Sequence, residues 1–179
     1  AYFSRKKGGV IGVDVVDEML QACEENLIEA EKLNPWFKRE FIELRKGDAF
    51  NLPVEDNSID IAAQNCLFNI FRDEDLKTAL TEMYRTLKKH GRLVMSDPTC
   101  EQTIPENLRD DEKLRALCLS GSLPLQEYID RITDIGFGTI EVRARRPYRI
   151  LDPVNYDTPE LIFIESAEVC AIKDPMPAD

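Results

Sequence analysis

The sequence has a single histidine and no CxxC or HxxxH pair, so the usual material for a zinc site or a histidine-driven acid–base pair is missing. No apolar run approaches the ~20 residues that a membrane span requires. Positive charge is scarce: 23 Lys and Arg stand against 34 Asp and Glu, a net charge of −11. A nucleic-acid binder needs a basic face to replace phosphate counterions. The basic group Arg143, Arg145 and Arg146 reads as the solvated side of a strand. Nucleic acid and membrane are therefore not expected partners, and a small-molecule substrate fits better. Five cysteines, odd in number and widely spaced, do not read as a disulfide framework. Residues 1–7 carry neither an apolar core nor a cleavage site of a signal peptide, so a cytoplasmic location is expected.

At 179 residues, 43% of them apolar, the chain can bury a core, and one domain is the simplest account. Residues 8–14 read as a buried strand. A helix is expected over 17–33, with Met19, Leu20, Cys23, Leu27 and Ile28 at helical spacing and Cys23 in the core. Further strands are expected at 41–45, 59–63 and 92–96. Between the last two lies a helix over 74–89, with Leu76, Leu80, Met83, Tyr84 and Leu87 on one face and Gly91 as its cap after His90. Residues 105–135 read as helical, with Leu114, Leu117 and Cys118 on one stripe and Tyr128, Ile129 and Ile132 on another. Strands 136–145 and 161–172 then form an antiparallel hairpin across a loop holding Pro147, Pro153 and Pro159. The strand–helix alternation predicts an α/β, doubly wound, Rossmann-like and mostly parallel sheet, finished by the antiparallel C-terminal hairpin.

In such a sheet ligands bind at the carboxyl ends of the strands. Asp14, Asp48 and Asn65 fall at such ends. An acid at the first can accept ribose hydroxyls, and one at the second can take an adenine amino group. Either aspartate alone is as readily a cap; both in this order favour a nucleoside.

These residues sit in a wider pattern. Val13-Asp14-x-x-x-x-Met19-Leu20 is followed by Lys46-Gly47-Asp48-Ala49-x-x-Leu52-Pro53. Asn57-Ser58-x-Asp60-Ile61 and Leu80-x-Glu82-x-Tyr84-Arg85-x-Leu87-Lys88-x-x-Gly91 come next, with Ser96-Asp97 and Ile135-Gly136-Phe137 beyond. The run resembles the class I S-adenosylmethionine-dependent methyltransferases. The resemblance implies S-adenosylmethionine as cofactor, held by Asp14, Val15, Met19, Asp48, Ala49 and Asn65. It also implies a cofactor-binding part over 1–100 and a substrate side over 101–179.

Two further segments, Asn65-Cys66-Leu67-Phe68-Asn69 and Cys118-Leu119-Ser120-Gly121, resemble the arsenite methyltransferases, and their spelling is similar to the cyanobacterial, arsenosugar-linked branch. Gln64 departs from that pattern, which more often has Ser there. The resemblance implies that Cys66 and Cys118 hold trivalent arsenic as substrate, with arsenite or methylarsenite and a thiol reductant as small-molecule partners. Soft thiolates suit a thiophilic centre. The other reading of both cysteines is plain packing, with a carbon, nitrogen or oxygen acceptor, or with no catalysis at all. Cys100 and Cys170 stay open between core, extra ligand and redox partner. The family's first strand and glycine-rich loop have no counterpart here, and its further upstream cysteine is likewise missing. The chain is therefore expected to be cut at both ends, the C-terminal cut near Asp174-Pro175-Met176-Pro177.

Overall fold

The computed structural model describes residues 1–174; residues 175–179, where the C-terminal cut is expected, lie outside the described residues. The chain divides into two compact units, 1–54 and 55–179.

In the first unit, β1 (Val10–Asp14) and β2 (Ile42–Lys46) pair in parallel, Asp14 opposite Lys46. The crossover carries α1 (Asp17–Leu33), whose first-turn acids Asp17 and Glu18 complement the helix dipole. The apolar stripe expected of α1 does not become a core: Cys23 is exposed and Met19 is 56% accessible. Two strands are too narrow a platform to cover the stripe. Order comes instead from aromatic edges: Tyr2 meets Trp36, Trp36 meets Phe37, and Phe37 meets Phe41, all edge to face within about 6 Å.

The second unit is a five-stranded sheet in the order β3 (Ile59–Asn65), β4 (Leu87–Cys100), β7 (Ile162–Ile172), β6 (Thr139–Leu151), with the two-residue β5 (Leu123–Pro124) also on β4. β3 and β5 run parallel to β4, whereas β7 and β6 form the antiparallel hairpin. The fold is thus the Rossmann-like α/β arrangement expected. α2 (Asp73–Thr86) opens on three acids and buries Leu76, Ala79, Leu80 and Met83 at three- and four-residue spacing. α5 (Leu125–Ile135) buries Tyr128 and Ile132 and ends on Gly136, whose φ of 115° only glycine adopts without strain.

Three expectations change. α2 stops at Thr86, because Leu87 already pairs with Ile59 in the sheet; residues 88–91 bulge out of β4, with His90 rather than Gly91 in the left-handed region (φ 64°). The helical stretch 105–135 breaks into α3 (Glu106–Arg109), α4 (Glu112–Ala116), β5 and α5. Asp111 caps α4 through the Lys113 and Leu114 amides at 2.8 and 3.1 Å, and Pro124 forbids helix before it. Leu117 leaves the stripe and is exposed. Pro147 lies within β6, opposite Glu165, where an edge strand tolerates a missing N–H. A one-turn α6 (Pro153–Tyr156), capped by Asp152, completes the loop.

A candidate dithiol site

β3 ends where its sequence turns polar. The Cys66 amide donates to the Ser96 carbonyl at 3.0 Å, prolonging the β3–β4 ladder by one bond, and Cys66 then turns left-handed at φ 54°. α4 ends in the same way, with Cys118 at φ 60°. Only six non-glycine residues among those described have positive φ, and two of them are these cysteines. Such geometry costs of order 1–3 kcal/mol and needs support from its surroundings.

The structure brings the two turns together. The Cys118 thiol donates to the Cys66 carbonyl at 2.9 Å. Cys118 is buried and Cys66 half-buried. Burial pushes the Cys66 thiol up, the Asp97 charge adds to this, and the Cys118 hydrogen bond works against it. Burial pushes Cys118 up to about 11, with Cys66 and Asp97 contributing. Both thiols therefore carry their protons near neutral pH.

Beneath the pair lies a carboxyl that sequence reasoning passed over. Asp97, 1% exposed, accepts from the Tyr128 hydroxyl at 2.7 Å and from the Gln64 amide, while its Oδ1 has no partner. Burial raises it to about 6 against the hydrogen bonds of Tyr128, Gln64 and the Phe68 amide. Gln64 also accepts from the Leu67 amide at 2.9 Å, so one side chain ties the Cys66 turn to Asp97. The available signals were Ser96-Asp97 and the polar run Gln64-Asn65-Cys66 at adjacent strand ends; Tyr128 looked like ordinary helix stripe. Cys100 and Cys170 are core residues, and Cys100 gives its thiol hydrogen to the Ser122 carbonyl.

The expected nucleoside residues lie in the first unit, at the carboxyl ends of one parallel pair. Asp14 closes β1 and accepts from the Val16 amide at 2.9 Å; Asp48 follows β2 and accepts from the Phe50 amide at 2.9 Å. One oxygen of each carboxylate is thus used in a local turn. Val15 and Met19 stand exposed beside Asp14, while Ala49 is half-buried after Asp48. Asn65, in the second unit, is exposed and pairs with Ser96.

In each unit parallel strands joined by a helix end on polar residues, the arrangement of Rossmann-like α/β proteins. The model of the methyltransferase-domain family matches residues 1–145, and the chain belongs to that family. It is 32% identical over 149 residues to an arsenite methyltransferase of Aquipseudomonas alcaligenes, covering 81% of this chain and 41% of that protein. Identity to the arsenite methyltransferase of Halobacterium salinarum is 27% over 138 residues, 77% of this chain and 33% of that one. An arsenic(III) S-adenosylmethionine methyltransferase structure from Chlamydomonas reinhardtii shares the fold at a TM-score of 0.77 and 22% identity, over 94% of this chain and 56% of that chain. The chain spans less than half the length of the two arsenite methyltransferase sequences.

Proposed function

We propose that this chain methylates trivalent arsenic using S-adenosylmethionine, with Cys66 and Cys118 as the arsenic-holding thiols. The observation that carries the reading is the meeting of two cysteine turns 52 residues apart in sequence, the buried Cys118 thiol donating to the carbonyl of the half-buried Cys66. Packing cysteines have no need to meet one another, and neither needs a left-handed backbone.

The cofactor supplies an electrophilic sulfonium methyl. Its nucleoside suits the carboxylates of Asp14 and Asp48, each with only one oxygen committed to a turn, and the apolar surface of Val15 and Met19 suits its base. Ala49 and Asn65 complete the proposed set. On the substrate side, each thiol exchanges with a hydroxide on arsenic: a sulfur–arsenic bond forms, an arsenic–oxygen bond breaks, and the thiol proton leaves with the hydroxide as water. High thiol pKa values are compatible with this exchange, because the departing hydroxide takes the proton. Chelation by the second thiol gains from its high effective concentration, and the arsenic keeps its lone pair. No general base is needed at that nucleophile, so catalysis rests on positioning, which is worth roughly 7–11 kcal/mol in favourable cases. A thiol reductant completes the proposed partners.

The test is methylarsenical formation from arsenite by the wild type, Cys66→Ser and Cys118→Ser, with an S-adenosylhomocysteine titration of each. Serine keeps the volume but offers a hard oxygen. Each variant is expected to lose methylation and keep cofactor binding; turnover at the wild-type rate in both would remove arsenic chelation from the account.

A further inference from the structure

The two cysteine turns are joined by a residue outside the chemistry. Asn69, 5% exposed, donates through its single amide nitrogen to the Pro98 carbonyl at 2.7 Å and to the Gly121 carbonyl at 3.2 Å. Pro98 follows Asp97 on β4, and Gly121 lies three residues after Cys118. Asn69 itself lies three residues after Cys66, so one amide group connects the strand end and both turns.

Its other half gains nothing: the Asn69 Oδ1 is buried without a partner. A buried unpaired acceptor is costly, which means the side chain is held there for the two bonds it donates. The backbones interlock at the same point. A Cβ on Gly121 would fall 1.8 Å from the Asn69 carbonyl oxygen, so no other residue allows this approach. The Ser122 hydroxyl then donates to the Cys118 carbonyl at 3.1 Å, closing the second turn on itself.

We infer that Asn69 is a positioning residue that fixes the span between the Cys66 and Cys118 sulfurs, so that the pair accepts ligands taking two thiols at once. Without the bridging amide each turn keeps its own thiol, but the two sulfurs no longer share one distance. Bidentate capture falls while single-thiol reactivity stays. This positioning rests on the dithiol reading of function only where the ligand is arsenic.

The experiment uses the 179-residue chain with the exposed Cys23 changed to Ser. Dibromobimane fluoresces when it bridges two nearby thiols; monobromobimane labels one. Asn69→Ala is expected to lower the bridging yield by about tenfold or more, as the effective concentration of the second thiol drops, with monobromobimane labelling nearly unchanged. Asn69→Ser, which keeps one short donor, is expected to recover part of the bridging. It also carries the test if a thermal melt shows the Ala variant unfolded. Undiminished bridging in a folded variant overturns the inference, as does an equal loss of both labels. Inorganic arsenite provides the separate arm: if the wild type bridges dibromobimane but takes up no arsenite, the arsenic reading falls and the role of Asn69 stands.

Discussion

Asp97 shows how much one side chain can set at this site. It is a nearly inaccessible carboxyl with one oxygen unpaired, raised to about 6 chiefly by burial. A carboxyl raised in the folded state holds its proton more tightly there than in the unfolded chain. Its contribution is therefore most favourable below the unfolded value near 4 and is lost as pH rises through about 6, on the order of 3 kcal/mol in all. Asp97→Asn should flatten that part of the stability curve, read from urea midpoints between pH 4 and 7.5. Parallel curves for the two proteins would show that Asp97 does not titrate in this window. Asp14 offers a second residue-level test, because its carboxylate already serves a turn through the Val16 amide. Asp14→Asn keeps that acceptor, so a purely local role predicts unchanged binding of S-adenosylhomocysteine. The cofactor role predicts a loss of about 1.5–3 kcal/mol, roughly ten- to a hundredfold, in both Asp14→Asn and Asp14→Ala by calorimetric titration.

At the scale of elements, the parts with strong periodicity were legible from sequence. The helix expected over 17–33 is α1, residue for residue, and the strand starting at Ile59 and the second strand of the C-terminal hairpin stand where the pattern put them, whereas the hairpin's first strand, expected over 136–145, is β6 at Thr139–Leu151. The misreadings have local causes that no window of hydrophobicity displays. Leu87 to Lys89 looked helical, but Leu87 is claimed by Ile59 across the sheet. Pro147 looked like a loop because its place on an edge strand depends on strand order. The cysteine turns were found as motifs, whereas Asn69, Gln64 and Tyr128 act through partners 29 to 52 residues away. Tertiary placement also explains Lys173. Its ammonium donates to the Tyr84 and Leu87 carbonyls, each at 2.7 Å, and to Asn57, and lies over the Tyr84 ring. It thus closes the carboxyl end of α2 from the end of β7, and partial burial lowers its pKa. Lys173→Met should destabilise the protein by about 2 kcal/mol, since those carbonyls lose a charged donor. The urea midpoint is the measurement, and an unchanged value would mean that water replaces the amine at no cost.

For the molecule as a whole, the acidic balance is distributed and the basic trio is neutralised in place. Arg143 pairs with Glu141 at 3.0 Å, Arg145 with Glu165 at 2.5 Å, and Arg146 with Glu168. That leaves the trio little to offer phosphate, and no helix among the described residues is long and apolar enough to cross a membrane. The two ends of the proposed chemistry lie in different units, the nucleoside carboxylates within residues 1–54 and the thiols within 55–179. If the two thiols act together on arsenic, as proposed, the stoichiometry of bound arsenic reports it. Mass spectrometry under native conditions should find one arsenic per chain after incubation with arsenite, with two thiols protected from alkylation. Cys66→Ser and Cys118→Ser should each lose that arsenic together with methylarsenical formation. Retention of one tightly bound arsenic by both single variants, with methylation intact, would contradict the account.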